Sequence, residues 1–124
     1  MTNGSAASDL TGGMFAAIDS KDTEAFVGFL TEDAVFRFGS APAVCGREAI
    51  RAAVDGFFGT IGASSHEVMN KLGDGTTLVC EGGVTYTRLD GSQVTLPFTD
   101  VFEYDDDLIS QYKIYIDIGP LYAA

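Results

Sequence analysis

The spacing of the apolar residues changes at Gly62, and this change constrains the fold more than any other feature of the chain. From Arg47 to Ile61 the apolar residues recur at steps of three and four, which predicts one amphipathic helix that ends at Gly62. After Gly62 the step becomes two, and turn residues separate the segments, which predicts strands. We expect these strands at residues 64–72, 76–89, 92–104 and 108–118.

The segment before this helix predicts a less regular beginning. Small and polar residues dominate positions 1–13, where we expect a flexible arm, and residues 14–124 are expected to form a single domain. Two helices are predicted next, one at about 10–20 and one that begins after Asp22, followed by a short strand at 34–38. Helices followed by an antiparallel meander predict an α+β fold, with helices covering one face of a curved sheet. Within the second long strand, Gly82 and Gly83 predict a bulge or a sharp bend.

Charge and composition exclude several classes of function. The 124 residues contain 18 acidic and 7 basic side chains, for a net charge of −11. A surface this acidic repels phosphate backbones and anionic lipids, so we expect no nucleic-acid and no membrane partner. No basic leader precedes an apolar run at the start, so we expect a cytoplasmic protein. Two cysteines without a CxxC motif, beside a single histidine, predict no metal site.

Asp100 interrupts an otherwise apolar strand face. Residues 94, 96, 98, 102 and 104 of that face are Val, Leu, Phe, Phe and Tyr. A carboxyl group among them loses hydration, which raises its pKa and makes it a candidate functional acid. The alternative is a structural role, in which a buried Asp100 bonds to backbone or to a tyrosine and fixes the bend of the sheet.

Three further polar residues are candidates for the same site. His66 shares a strand face with Val68 and Leu72, and histidine is the side chain whose unperturbed pKa lies near neutrality, although a hydrogen-bonded core histidine is the alternative. Tyr112 lies among apolar neighbours, either as a hydrogen-bond donor in a pocket or as an ordinary core aromatic. Asp117 lies on the mixed face of the last strand, and its alternative is a surface ion pair with Lys113.

Four segments together carry a family resemblance. They are Ile18-Asp19-Ser20-Lys21-Asp22-Thr23-Glu24-Ala25, Phe29-Leu30-Thr31-Glu32-Asp33-Ala34-Val35-Phe36, Cys45-Gly46-Arg47-Glu48-Ala49-Ile50-Arg51, and Asp100-Val101-Phe102-Glu103-Tyr104 with Tyr112 and Asp117. The chain resembles the SnoaL-like branch of the nuclear transport factor 2 superfamily from about Met14 to Tyr122. The resemblance implies a cone-shaped half-barrel around a deep, mostly apolar pocket, and a homodimer.

Members of this superfamily include ketosteroid isomerases, limonene-type epoxide hydrolases, polyketide cyclases and non-catalytic binding domains. The isomerase tyrosine falls on Met14 and the isomerase base on Phe38, so only the oxyanion-binding aspartate matches, at Asp100. Of the Asp-Arg-Asp set of the epoxide hydrolases, the Arg falls near Glu81 and the two Asp fall near Gly83 and Ile114, so that mechanism does not fit either. SnoaL-type cyclases use a pocket aspartate without a metal, which Asp100 or Asp117 would supply.

These observations predict a cofactor-free isomerase, cyclase or hydrolase that performs acid–base chemistry on a small hydrophobic, carbonyl-bearing or polycyclic molecule. Asp100 would be the acid, His66 the base and Tyr112 a hydrogen-bond donor. The alternative is a non-catalytic binding domain with a structural Asp100. Dimerisation is expected through the outer sheet face that includes Thr95, Val101, Lys113 and Tyr115. The expected substrate-binding residues are Met14, Phe38, Phe57, Phe58, Tyr86, Phe98, Phe102 and Ile114.

Overall fold

A computed structural model describes the backbone of residues 2–123 and the side chains of residues 11–123. Within this range three helices lie before Gly62 and four long strands after it, as the change of period at Gly62 predicts. The elements are α1 (Thr2–Asp19), α2 (Thr23–Val27), β1 (Leu30–Phe38), β2 (Val44–Cys45), α3 (Arg47–Phe58), β3 (Ala63–Gly73), β4 (Thr77–Thr87), β5 (Gln93–Asp105), β6 (Leu108–Tyr115) and α4 (Gly119–Tyr122).

The strands form one six-stranded sheet in the order β2-β1-β6-β5-β4-β3. Strands β3 to β6 are the predicted antiparallel meander, and β2 is antiparallel to β1. Strand β1 joins the far side of the meander by pairing in parallel with β6, so that Phe36 lies beside Tyr112. The result is a curved, open sheet with helices packed in its concave side, which confirms the predicted α+β class.

The helices differ from the predicted ones at their ends. α1 begins at Thr2, and the fully buried Thr11 belongs to it, so the helix runs through residues that the sequence assigned to an arm. The flexibility of residues 1–13 stays a prediction, because the side chains of residues 1–10 lie outside the described set. α3 is shorter than predicted, since Gly59 caps it and not Gly62. The predicted cap of α2 is confirmed by the Asp22 carboxylate, which accepts a hydrogen bond of 3.1 Å from Ala25 N.

A bulge lies at the paired glycines, as predicted, but the extra residue is on the neighbouring strand. Val68 pairs with Gly82 and Asn70 with Glu81, so Met69 of β3 has no partner in β4. A Cβ at Gly82 would lie 1.9 Å from the carbonyl oxygen of Glu67, so the two backbones approach as only glycine allows. The bulge turns Leu72 to the convex face, where it is 72% exposed, so the predicted sharing of a face with His66 is wrong for Leu72.

A second bulge changes the inward face of β6. Glu103 pairs with Gln111 and Tyr104 with Ile109, so Ser110 is the extra residue. Its hydroxyl donates a hydrogen bond of 3.2 Å to the carbonyl oxygen of Glu103. Ile109 is therefore buried on the concave side beside Tyr112, although strict alternation assigns it to the opposite face.

The core fills the space between the concave face and the helices. Alternate residues of β4 and β5 point inward, and α3 contributes Ile50, Val54 and Phe58. Among the described side chains, Asp100 is the only Asp, Glu, Lys or Arg that is buried. None of the helices within residues 2–123 is long and apolar enough to cross a membrane.

Candidate functional site

An apolar cavity of about 220 Å³ lies between the concave face of the sheet and α3. Its walls come from β1, α3 and the strands of the meander, and the loop between β1 and β2 forms part of its rim. The hydrogen-bonding side chains among its described lining residues are Ser64, His66, Tyr86 and Tyr112. The apolar lining residues are Ile18, Phe26, Phe36, Phe38, Ala41, Pro42, Val44, Ala53, Val54, Phe57, Phe58 and Ile114.

His66 is held by Asp19, the last residue of α1. Asp19 Oδ1 lies 2.6 Å from His66 Nδ1, and Asp19 Oδ2 accepts a hydrogen bond of 2.9 Å from the backbone N–H of His66. Ser64 Oγ donates to Asp19 Oδ1 at 2.8 Å. Burial alone would raise the pKa of Asp19, but these hydrogen bonds outweigh burial and lower it. Asp19 is therefore a carboxylate at neutral pH, which requires Nδ1 of the imidazole to carry a proton.

Two aromatic rings fix the plane of the imidazole. The centroid of the Phe15 ring lies 5.0 Å from that of His66, and the Phe98 ring meets His66 edge-on at 5.4 Å. With Nδ1 committed to Asp19, Nε2 is the nitrogen without a hydrogen bond to any described residue. In the neutral ring this nitrogen is a proton acceptor.

Tyr112 connects the cavity to Asp100. The Tyr112 ring lines the cavity, and its hydroxyl donates a hydrogen bond of 3.0 Å to Asp100 Oδ2. Burial raises the pKa of Asp100 to about 8, against the hydrogen bond from Tyr112, which lowers it. Burial and the neighbouring Asp100 also raise the pKa of Tyr112 above its usual value, so Tyr112 stays a phenol.

Asp100 does not itself line the cavity, contrary to the expected position in the pocket wall. Its neighbours across β6 are Ile114 and, two residues away, Tyr112, and both of these side chains line the cavity. Phe102 stacks on the Tyr112 ring, with 4.5 Å between the two centroids, and so packs against the same side chain. The hydrogen bond with Tyr112 thus links the carboxyl group to the cavity lining, and Asp100 can act on a ligand through Tyr112.

The structure separates the other expected substrate-binding residues into two sets. Met14, Phe98 and Phe102 are buried in the core outside the cavity lining, where Phe15 of α1 packs against both phenylalanine rings of β5. The expected residues that do line the cavity are Phe38, Phe57, Phe58, Tyr86 and Ile114.

Asp117 lies apart from the cavity. It follows the end of β6 and is exposed, and its Oδ1 accepts a hydrogen bond of 3.0 Å from the backbone N–H of Gly119. It lines a separate open groove with Glu81 and Thr99. The turn into α4 therefore accounts for its position, and the described residues include no ion pair between Asp117 and Lys113.

Asp19 is the site residue that sequence reasoning missed. It ends a helix, and no periodic pattern shows that its carboxylate reaches β3 across the sheet. The single histidine of the chain was the available signal, since a buried histidine needs a partner for its N–H group. Within the described side chains, no group of three His, Cys, Asp or Glu residues lies close enough to hold a metal ion.

Solved structures share this fold over nearly their whole length. An NTF2-like protein of unknown function from Burkholderia pseudomallei superposes with a TM-score of 0.84 at 14% identity, over 94% of each chain. TerC, co-crystallised with polyporic acid, gives 0.82 at 15% identity, over 94% of this chain and 95% of TerC. An LEH-like epoxide hydrolase of M. tuberculosis gives 0.79 at 18% identity, over 92% of this chain and 84% of that chain. At these identities the likeness shows the fold alone.

No curated protein matches the chain. The sequence profile of the SnoaL-like domain matches residues 12–112, from the described part of α1 to Tyr112 in β6. This range includes Asp19, His66, Asp100 and most of the strands that form the cavity. Since the match covers most of the 124 residues, the chain belongs to the SnoaL-like domain family.

Proposed function

We propose that the protein is a cofactor-free acid–base catalyst that moves a proton on a small hydrophobic, carbonyl-bearing molecule. One observation carries the proposal: a single apolar cavity is lined both by a histidine that a carboxylate orients and by a tyrosine that a buried acid supports. Proton abstraction next to a carbonyl needs two such groups. One accepts the proton, and the other donates a hydrogen bond to the oxyanion that develops.

His66 would be the base. Nδ1–H donates to Asp19, so Nε2 would accept the proton from the carbon next to the carbonyl. The electron pair of that C–H bond then forms a C=C bond, and the carbonyl π pair moves to oxygen. Asp19 stabilises the imidazolium that forms, as an oriented carboxylate does for a catalytic histidine. In a substrate with a C=C bond attached to that carbon, the electron pair extends over this bond, and return of the proton to its far carbon gives the conjugated isomer without any cofactor.

Tyr112 would be the donor to the carbonyl oxygen. At neutral pH Asp100 is protonated, because its pKa is raised to about 8, so the 3.0 Å hydrogen bond can reverse and Asp100 Oδ2 can donate its own proton to Tyr112 Oη. The Tyr112 hydroxyl proton is then available to a ligand in the cavity. Asp100 acts in this scheme as a positioning residue, because it lies behind Tyr112 and does not contact the ligand.

The family and its relatives support acid–base chemistry without choosing the reaction. An LEH-like epoxide hydrolase has the same fold. The Asp-Arg-Asp set expected of limonene-type epoxide hydrolases has no counterpart among the described cavity-lining residues, which include neither Arg nor Asp. Proton transfer at a carbon atom is therefore better supported than epoxide opening.

Exchange of α-protons tests the proposal. In D₂O at pH 7, we expect the wild type to speed the loss of the C2 proton signals of 1-tetralone by at least tenfold over buffer, followed by NMR. His66→Gln should abolish the enhancement, and Glu67→Gln, at the exposed neighbouring residue of β3, serves as the matched control. Binding of the ketone without any enhanced exchange would contradict catalysis and support the alternative, a non-catalytic binding domain.

The proposal includes a cytoplasmic homodimer. The convex face carries Val101 beside Lys113 and Thr99 beside Tyr115, whose side chain is 55% exposed. Apolar and aromatic groups on an outward face support burial against a second copy. We expect the two cavities of such a dimer to act independently, since each opens on the concave side of its own sheet.

A further inference from the structure

We infer that the ligand of this cavity is a neutral molecule of one or two rings with a single oxygen, and that the Phe38–Phe57 ring pair sets its size. The inference rests on the proposed function, because it takes the same cavity as the binding site. It narrows the ligand from hydrophobic molecules in general, which include polycyclic ones, to a class defined by size, charge and number of polar groups.

The volume limits the size. A cavity of roughly 150 Å³ holds a benzene ring, whereas sites for drug-sized ligands enclose roughly 300–1,000 Å³. At about 220 Å³, this cavity has room for one substituted ring or a compact fused pair. Five buried aromatic side chains, Phe26, Phe36, Phe58, Tyr86 and Tyr112, belong to its walls, and close-packed interiors yield little to a larger ligand.

The charges favour a neutral ligand. Neither Arg nor Lys is among the described lining residues, so an anion would lose its hydration without a fixed cation to replace it. The net charge of −11 adds to this penalty. A cation would find no free carboxylate in the cavity wall. Asp19 is hydrogen-bonded to His66 and Ser64, and Asp100 is paired with Tyr112 and does not line the cavity.

The hydrogen-bonding groups limit the polar groups of the ligand. Ser64 already donates to Asp19, and the Nδ1 edge of His66 is used by the same carboxylate. Tyr112 Oη is already paired with Asp100, and under the proposed function it serves one ligand oxygen while His66 Nε2 takes the proton of a C–H bond. The Tyr86 hydroxyl is then the remaining hydrogen-bonding group among the described lining residues. A ligand with several hydroxyl groups would bury some of them without partners, at a cost of roughly 1–3 kcal/mol each.

The aromatic rings near the opening of the cavity are the second limit on the size of the ligand. Among the lining residues, Ala41, Pro42 and Ala53 are exposed, so the cavity opens between the β1–β2 loop and α3. Just inside, the half-buried rings of Phe38 and Phe57 lie 4.9 Å apart between centroids. Phe57 also meets Tyr86 edge-on at 5.7 Å, so the three side chains form one contacting group of rings within the cavity lining.

Calorimetric titration of four probes tests the inference. They are 1-tetralone, which has two rings and is neutral; 9-fluorenone, which has three; 1-naphthoate, which is anionic; and tetramethylammonium, which is cationic. We expect the wild type to bind 1-tetralone at least tenfold more tightly than each of the other three. Phe57→Ala should raise the affinity for 9-fluorenone at least tenfold, and Phe38→Ala is the second variant that opens the same end. Phe29→Ala is the matched control, because Phe29 is also half-buried but does not line the cavity.

Each outcome bears on one idea or the other. The inference is overturned if the wild type binds 9-fluorenone, 1-naphthoate or tetramethylammonium as tightly as 1-tetralone, or if it binds none of the four. It is also overturned if both opened variants keep the wild-type preference. Selective binding of 1-tetralone without enhanced α-proton exchange leaves the inference standing and contradicts the proposed catalysis. Enhanced α-proton exchange without selective binding of 1-tetralone supports the proposed catalysis and overturns the inference.

Discussion

The hydroxyl of Tyr112 donates a hydrogen bond of 3.0 Å to Asp100 Oδ2, and both side chains are only 1% exposed. The second carboxyl oxygen, Oδ1, is buried without a hydrogen-bond partner among the described residues. A charged carboxylate in this position would be only half satisfied, whereas a protonated one loses far less on burial. The pair therefore makes the stability of the protein depend on the protonation of Asp100.

Replacing Asp100 by Asn should change how stability depends on pH. The pKa of Asp100 is raised from 3.8 to about 8 by burial. The stability contributed by this group is therefore fully present below pH 4 and is lost as pH rises towards 8. The Asn side chain of Asp100→Asn does not titrate. As pH rises over this interval, the free energy of unfolding of the variant should therefore increase relative to that of the wild type by up to about 1.4 kcal/mol per pH unit. Urea unfolding from pH 4 to pH 9 measures the difference, and parallel profiles would mean that Asp100 is an ordinary carboxylate.

Replacing Tyr112 by Phe should destabilise the fold through the group left behind. Both oxygens of Asp100 would then lack a partner, which costs roughly 1–3 kcal/mol. The double variant Tyr112→Phe with Asp100→Leu should recover part of this loss, because it removes both polar groups together. A double-mutant cycle by urea unfolding at pH 7 gives the coupling energy, and strictly additive effects would contradict the pairing.

Replacing Asp19 by Asn should free the imidazole of His66. The carboxylate no longer selects the tautomer, so the ¹⁵N chemical shifts of His66 should change from a protonated Nδ1 to a mixture of both forms. Because the pKa of Asp19 is lowered in the folded protein, its stabilising contribution is present above its ordinary pKa of 3.8 and is lost as pH falls through the lowered value. Asp19→Asn should therefore be less stable than the wild type at pH 7, with a smaller difference at pH 2–3. An unchanged tautomer in the variant would show that other contacts orient the ring.

The two adjacent glycines of β4 should respond very differently to the same substitution. A Cβ at position 82 would lie 1.9 Å from the carbonyl oxygen of Glu67, so Gly82→Ala must push β3 and β4 apart. We expect a loss of roughly 3 kcal/mol or more, at the severe end of single substitutions. Gly83→Ala is the matched control, because its Cβ would meet its nearest atom at an ordinary 3.6 Å. Thermal unfolding compares the two variants, and equal losses would contradict the close approach at the bulge.

The proposed dimer should separate when charge is placed on the convex face. Light scattering at micromolar concentration should give twice the monomer mass for the wild type and the monomer mass for Val101→Glu. Ala52→Glu changes an exposed residue of α3, away from the convex face, and should leave the mass unchanged. A monomeric wild type would contradict the predicted assembly.

Local patterns predicted most of this fold because each element carries its own periodicity. The steps of three and four before Gly62 become α3, and the alternation after it becomes the four meander strands. The pairing of β1 with β6 could not be predicted in this way, since it joins segments at opposite ends of the chain and depends on the curvature of the whole sheet. The bulges at Met69 and Ser110 were equally hidden, because each is an offset between two strands and not a property of one.

The candidate site divides along the same line. Asp100, His66 and Tyr112 interrupt apolar stripes, so the sequence alone singles them out. Asp19 does not, because its role comes from the distance between the end of α1 and β3, which only the folded structure sets. The sequence also could not place Asp100 behind Tyr112, since alternation assigns a residue to a face and not to a depth within it.

The parallel pairing of β1 with β6 has a consequence for the synthesis of the chain. In the order β2-β1-β6-β5-β4-β3, the first two strands reach the rest of the sheet only through β6. While the ribosome is still producing the segment before Leu108, Phe36 has no Tyr112 to pack beside. The cavity then also lacks the lining residues Tyr112 and Ile114, which β6 supplies. A chain that stopped before β6 would therefore lose three strands from its sheet and not one.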